Sequence, residues 1–162
     1  MYYPREAQRG NLYTQKTILL ILLPIVMLVG LYAKSEALNY GAIELSPAQA
    51  NALVTEVREN KYNSNKYQVF YTFTSDKSVS HQSVYRVNDI HDKYPKPKEG
   101  ERINVAYSSW FPEYNIPANY HSFNQTSFFI FVSSVLAFLA VIAGVIYLII
   151  KIEAHKQQDR YY

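Results

Sequence analysis

The side chains best suited to chemistry lie in the run Asn88-Asp89-Ile90-His91-Asp92, with His81 on the segment before it and His121 far downstream. Imidazoles and carboxylates are the donor set of a metal-dependent enzyme, here built on His81, His91 and Asp92, provided several ligands converge and outer partners orient them. Asn and Asp just after a strand are also the ordinary composition of a turn. No GxSxG elbow, HExxH helix, phosphate loop or spaced carboxylate pair accompanies these residues. The chain has no cysteine, which removes disulfides, thiolate ligands and cysteine nucleophiles together. The expectation is a protein without enzymatic activity, metal or cofactor.

Aromatic residues are the more unusual feature: the chain carries 16 tyrosines, 8 phenylalanines and one tryptophan. Such side chains suit both membrane interfaces and protein contacts. Trp110, Phe111, Tyr114 and Tyr120 precede an apolar block and are expected to touch lipid headgroups or a partner, whereas the tyrosines that alternate along strands are expected to fill a small core. Asn124-Gln125-Thr126 matches a glycosylation sequon but abuts the apolar block, where a glycosylating enzyme has poor access. The net charge of +3 is small and the basic residues are interspersed with acidic ones, so nucleic acid is not an expected partner.

The elements that position these residues begin with two apolar blocks, which a mean hydropathy of −0.17 conceals by averaging. Residues Thr17 to Ala33 hold no ionisable side chain. At about 1.5 Å per residue they cover roughly 25 Å, slightly less than a hydrocarbon core of about 30 Å, so flanking turns must help. A cleaved signal peptide shares the basic start and apolar run, but this run exceeds the usual signal core of roughly 7 to 15 residues, and a retained helix is expected. Ser127 to Ile150 is uncharged and closed by Lys151; it spans with length to spare. Within it Ser133, Ala137, Ala140 and Gly144 recur at helical spacing as a strip where another helix can approach closely, the first span being the natural partner. Small residues are also simply common in membrane helices, and Pro24 reads as a tolerated proline.

Arg5, Arg9 and Lys16 precede the first span, and Lys151, Lys156 and Arg160 follow the second, while only Lys34 lies close on the inner flanks. Basic flanks resist translocation, which places both termini in the cytoplasm of a plasma or bacterial inner membrane and the centre in the periplasm or outside the cell. The expected organisation is a cytoplasmic tail over 1–16, a span over 17–33, a connector over 34–51, a β-domain over 52–117, a membrane-proximal loop over 118–126, a span over 127–150 and a tail over 151–162.

In the connector, Gly41 and Pro47 are expected to break any long helix. Strand patterns follow. The first, LVTEVREN, alternates imperfectly; in KYQVFYTFTS, Tyr67, Val69, Tyr71 and Phe73 share a face. A polar turn at Ser75, Asp76 and Lys77 leads to a strand with Val79, His81, Ser83, Tyr85 and Val87 on one face, forming a hairpin. Ile103, Val105 and Tyr107 mark a fourth strand. The fold class is therefore an α+β membrane protein, two transmembrane helices flanking a small antiparallel sheet or barrel of four to five strands.

The stretch from Ala52 to Val87 and the following Pro97-to-Tyr107 run resemble the bacterial membrane family called domain of unknown function 3592 (DUF3592). Tyr67, Val69, Tyr71 and Phe73 fill its aromatic strand, and Gly100, Ile103, Val105, Tyr107 and Pro112 its last strand and proline loop. The hairpin turn lacks the family's glycine, and Trp110 and Phe111 are inserted before the proline. The resemblance covers residues 52–117, implies a β-domain between membrane helices and transfers no catalytic residue. The functional expectation is an accessory or modulatory component of a bacterial envelope whose β-domain binds a protein partner. A membrane immunity protein, or the metal-dependent enzyme above, are the alternatives.

Overall fold

A computed structural model describes residues 4–60, 63–87 and 95–160. The elements run α1 (Pro4–Leu45), β1 (Pro47–Asn60), β2 (Asn63–Thr74), β3 (Ser80–Val87), β4 (Arg102–Ser108), β5 (Asn115–Pro117), a 3-10 helix (Ala118–Phe123) and α2 (Asn124–Arg160). They form two compact units, one of Met1–Lys34 with Phe129–Tyr162 and one of Ser35–Phe128.

In the first unit α1 and α2 pack antiparallel, since Leu12 clusters with Leu148 and Ile152 while Gly30 lies against Ser134. Within this unit the less exposed positions along α1 are Leu12, Lys16, Leu19, Leu23, Val26, Gly30 and Ala33, alternating four and three residues apart. On α2 the same alternation runs from Phe131 and Ser134 to Leu148 and Ile152. A spacing of 3.5 residues is the period that suits a left-handed coiled pair of helices. Small residues set the closest approaches: a Cβ added to Gly30 would lie 3.3 Å from Ser134 Cβ, and one added to Gly144 would lie 3.0 Å from Leu19 Cδ1. Away from the seam, Ile21, Leu28, Leu31, Leu136, Leu139 and Ile150 are exposed. Both helices are long and apolar enough to cross a membrane. Pro24 lies inside an unbroken α1, where its ring only withdraws one hydrogen bond from the Leu20 carbonyl.

The second unit is a five-stranded antiparallel sheet in the order β3-β2-β1-β4-β5. Strand β1 is shared: residues Pro47–Leu53 pair with β4 and Ala52–Asn60 with β2. A bulge between Val54 and Glu56 bends it, and that extra residue is why the sequence alternates imperfectly there. The sheet curls until β3 and β5 come into contact without pairing, making a half-barrel instead of a closed one. Ala52, Val54, Tyr67, Val69, Tyr71, Phe73, Val87, Val105, Tyr107 and Ile116 fill the concave side together with Ile43 and Tyr120. Few residues suffice because each aromatic ring removes about 150–250 Å² from water. The alternation expected for β2, β3 and β4 is what the sheet buries, although Val79 precedes β3 in an exposed turn. In that turn Ser78 takes the positive φ of 57° where a glycine would be unstrained.

Three expectations are corrected. Residues 34–51 are not a connector: α1 continues to Leu45 and β1 begins at Pro47. Gly41 sits inside α1, where its missing side chain admits the Phe128 ring 3.1 Å from the Cβ position, and Pro47 opens a strand, a place where no ladder hydrogen bond is lost. Residues 118–126 are helical, not a loop.

Candidate functional site

The β4–β5 turn is the most sharply defined exposed feature. Ser46 and Ser108 face each other with 2.7 Å between their buried hydroxyl oxygens. The Ser109 N–H donates to the Ser46 carbonyl at 2.8 Å, the Trp110 N–H to Ser46 Oγ at 3.4 Å and the Phe111 N–H to Ser108 Oγ at 3.2 Å. Tyr114 closes the turn, its N–H donating to the Phe111 carbonyl at 2.9 Å. The backbone is therefore tied down while Trp110 and Phe111 remain 64% and 50% exposed. Leu45, adjoining Ser46, is exposed as well. Tyr114 is half-buried with its ring edge-on to Phe111 at 6.5 Å. Tyr120, expected among the contact residues, is instead 6% exposed and packs on Tyr85 at 4.8 Å, because the 3-10 helix turns it into the half-barrel.

Beneath the turn lies Asn115, a residue without signal in the sequence. Its Oδ1 accepts from the Tyr71 hydroxyl at 2.7 Å across the concave side, its Nδ2 donates to the Pro112 and Glu113 carbonyls, and its own carbonyl accepts from Asn39 Nδ2 at 3.1 Å. One buried amide thus fixes the turn to β2 and to α1.

His81 stacks on Phe73 at 5.4 Å, with Nε2 3.3 Å from Ser75 Oγ. His91 and Asp92 lie outside the described residues, and among the described residues no three His, Cys, Asp or Glu side chains converge as a metal site. His121 instead meets Glu44, 3.0 Å from Nε2, under a stacked Tyr40 ring at 4.8 Å. Close by in the chain, Ser127 Oγ donates to Glu36 Oε2 at 2.5 Å. These pairs clasp the end of α1 to the 3-10 helix and to the start of α2. Asn124 of the sequon is buried, which leaves its amide no room for a glycan.

Of the strip Ser133, Ala137, Ala140 and Gly144, Gly144 lies against Leu19 of the facing helix. Ser133 and Ala137 border an apolar groove with Ile25, Val26 and Val29, and Ala140 is exposed. The seam runs one residue further on, through Ser134.

A cleft of about 370 Å³ is lined by Arg58, Glu59, Lys66, Tyr67, Gln68, Arg86 and Val87 of β1, β2 and β3. Register puts Arg58, Gln68 and Arg86 in one row across β1, β2 and β3. Arg58 forks onto Glu56, Nε to Oε1 at 2.5 Å and Nη2 to Oε2 at 3.0 Å, and lies over the Phe70 ring at 4.7 Å. These hydrogen bonds hold the Glu56 carboxyl below its usual range. Lys96 pairs with Glu59.

Comparison of the chain with models of known families, with curated proteins and with solved structures finds no match.

Proposed function

We propose that the chain is a two-span integral membrane protein of a bacterial envelope, both termini cytoplasmic, whose β-unit binds a protein partner through the Trp110–Phe111 turn. Its role is accessory or modulatory and not enzymatic, and its centre is of the kind found in domain of unknown function 3592. The spans are supported by the apolar side chains left outward on both helices, which water would penalise and lipid would accept. Sidedness is supported by the basic flanks outside the two apolar runs.

The observation that carries the binding reading is the pair of large exposed rings on a hydrogen-bonded backbone. A turn already held in place loses little freedom on association, and tryptophan is among the side chains that most often anchor an interface. Crosslinking and pull-down from native membranes at native abundance tests it. The parent should retrieve a partner, and Trp110→Ala with Phe111→Ala should lower its yield about tenfold or more, the worth of one or two anchoring side chains. The fold should persist because neither ring is in the core. Retrieval of this chain alone, or equal yield from the double variant, overturns the reading.

A further inference from the structure

We infer that the outer edge of β3 is a docking site for an extended segment of a partner protein that carries an acidic and an apolar residue two positions apart. The inference names a surface other than the Trp110–Phe111 turn and stands whether or not that turn binds. Strand β3 ends the sheet and pairs on one side alone. The Ser75 N–H donates to the Val79 carbonyl at 2.9 Å, which fixes the alternation of the ladder with β2. In that register the backbone groups of His81, Ser83, Tyr85 and Val87 turn to β2, and those of Gln82, Val84 and Arg86 turn outward. The outward groups make no hydrogen bond with a described residue. Sheet edges are commonly blunted by proline, a bulge or brevity. Strand β3 holds no proline and pairs without a register shift over eight residues, whereas β5, at the other end of the sheet, has three residues and ends in Pro117.

The side chains beside this edge select the segment, because an added strand continues the rows that cross the sheet. Val84 is 46% exposed and stands opposite Phe70, so the residue set against it is apolar. Arg86 ends the row of Arg58 and Gln68. Arg58 is committed to Glu56, whereas Arg86 holds no ion pair with a described residue, so the residue set against Arg86 is acidic. Asp89 and Asp92 follow in the chain outside the described residues, and the charge swap below weighs Arg86 in their presence. Between these two positions the added strand turns one side chain to the concave side, where β5 stands against β3, and that residue is small. Run antiparallel to β3, the segment reads acidic, small, apolar from its N-terminal end. A second copy of β3 does not fit, since Ser80 to Val87 contains no acidic residue.

The test is selection of a displayed library of random peptides on the full chain in nanodiscs of neutral lipid, followed by fluorescence anisotropy of the enriched peptide. Enriched sequences should share the acidic, small, apolar order. Methylating the amide nitrogen of the peptide residue opposite Val84 should abolish binding, while methylating the next residue, whose N–H points away from β3, should change affinity by about twofold at most. That comparison leaves the protein unaltered, so its folding is not at stake. Arg86→Glu should weaken binding about tenfold, the value of one charge-assisted contact, and a repeated selection on this variant should exchange the acidic residue for a basic one. Trp110→Ala with Phe111→Ala should leave the affinity as it is, which separates this edge from the turn. No enrichment, binding indifferent to the methylated position or to Arg86→Glu, or binding lost with Trp110 and Phe111 overturns the proposal. So does pairing of β3 with β3 of a second copy, read as a disulfide-linked dimer of Val84→Cys.

Discussion

At the scale of single residues, burial sets the protonation of two tyrosines. Tyr71 and Tyr85 hold their hydroxyl protons more tightly than free tyrosine, chiefly because burial penalises the phenolate. At Tyr71 a hydrogen bond with Ser83 pulls the other way without prevailing; at Tyr85 the Glu36 carboxylate and Tyr67 add to the rise. A folded-state pKa above the unfolded one leaves stability intact below the ordinary tyrosine value of about 10 and removes it as pH climbs beyond. The β-unit should therefore keep its near-ultraviolet dichroism up to about pH 10 and lose it above. The last tyrosinate absorbance should appear in the same step. Full tyrosine ionisation near pH 10 with the dichroism retained would contradict the buried state of these two rings. Alternation in KYQVFYTFTS made the buried ring of Tyr71 legible in advance; its tie to Asn115 was not, because the partner lies on another strand and polar pairing leaves no periodic mark.

At the scale of elements, the seam between α1 and α2 rests on small residues. Replacing Gly30 by leucine forces a branched side chain against Ser134 and should cost about 1–3 kcal/mol of helix pairing. The readout is disulfide formation between cysteines placed at Val26 and Phe138, which line one groove with Gly30. Gly30→Leu should slow it several-fold, whereas Gly30→Ala needs only a few tenths of an ångström of give and should keep most of it. Equal rates for parent and Gly30→Leu would place the seam elsewhere. The strip Ser133, Ala137, Ala140 and Gly144 was readable as a helical stripe, yet the seam passes through Ser134. Where a helix is apolar all round, hydropathy has no phase, and only the facing side chains select the buried line.

For the whole molecule, the proposed topology predicts a pattern of accessibility. The chain has no cysteine, and Gln8, Ser78 and Gln157 are exposed. Single cysteines there, treated with an impermeant maleimide on intact cells, should label at Ser78 alone. Labelling at Gln8 and Gln157 with Ser78 protected would reverse the sidedness and send the search for a partner to the cytoplasm. What the sequence determined by itself was the kind of the main elements: two apolar helices from uninterrupted runs, and strands β2 to β4 from period-two alternation, because both signals are local. Tertiary structure decided the rest. Helix α1 passes Gly41 because Phe128 occupies the space a side chain would take, and β1 serves two neighbours because a bulge bends it. Tyr120 is core while Trp110 is surface, and Arg58 and Arg86 fall in one row with Gln68 of β2 between them. Each depends on residues distant in the chain, and no local pattern encodes which distant surface a side chain will find.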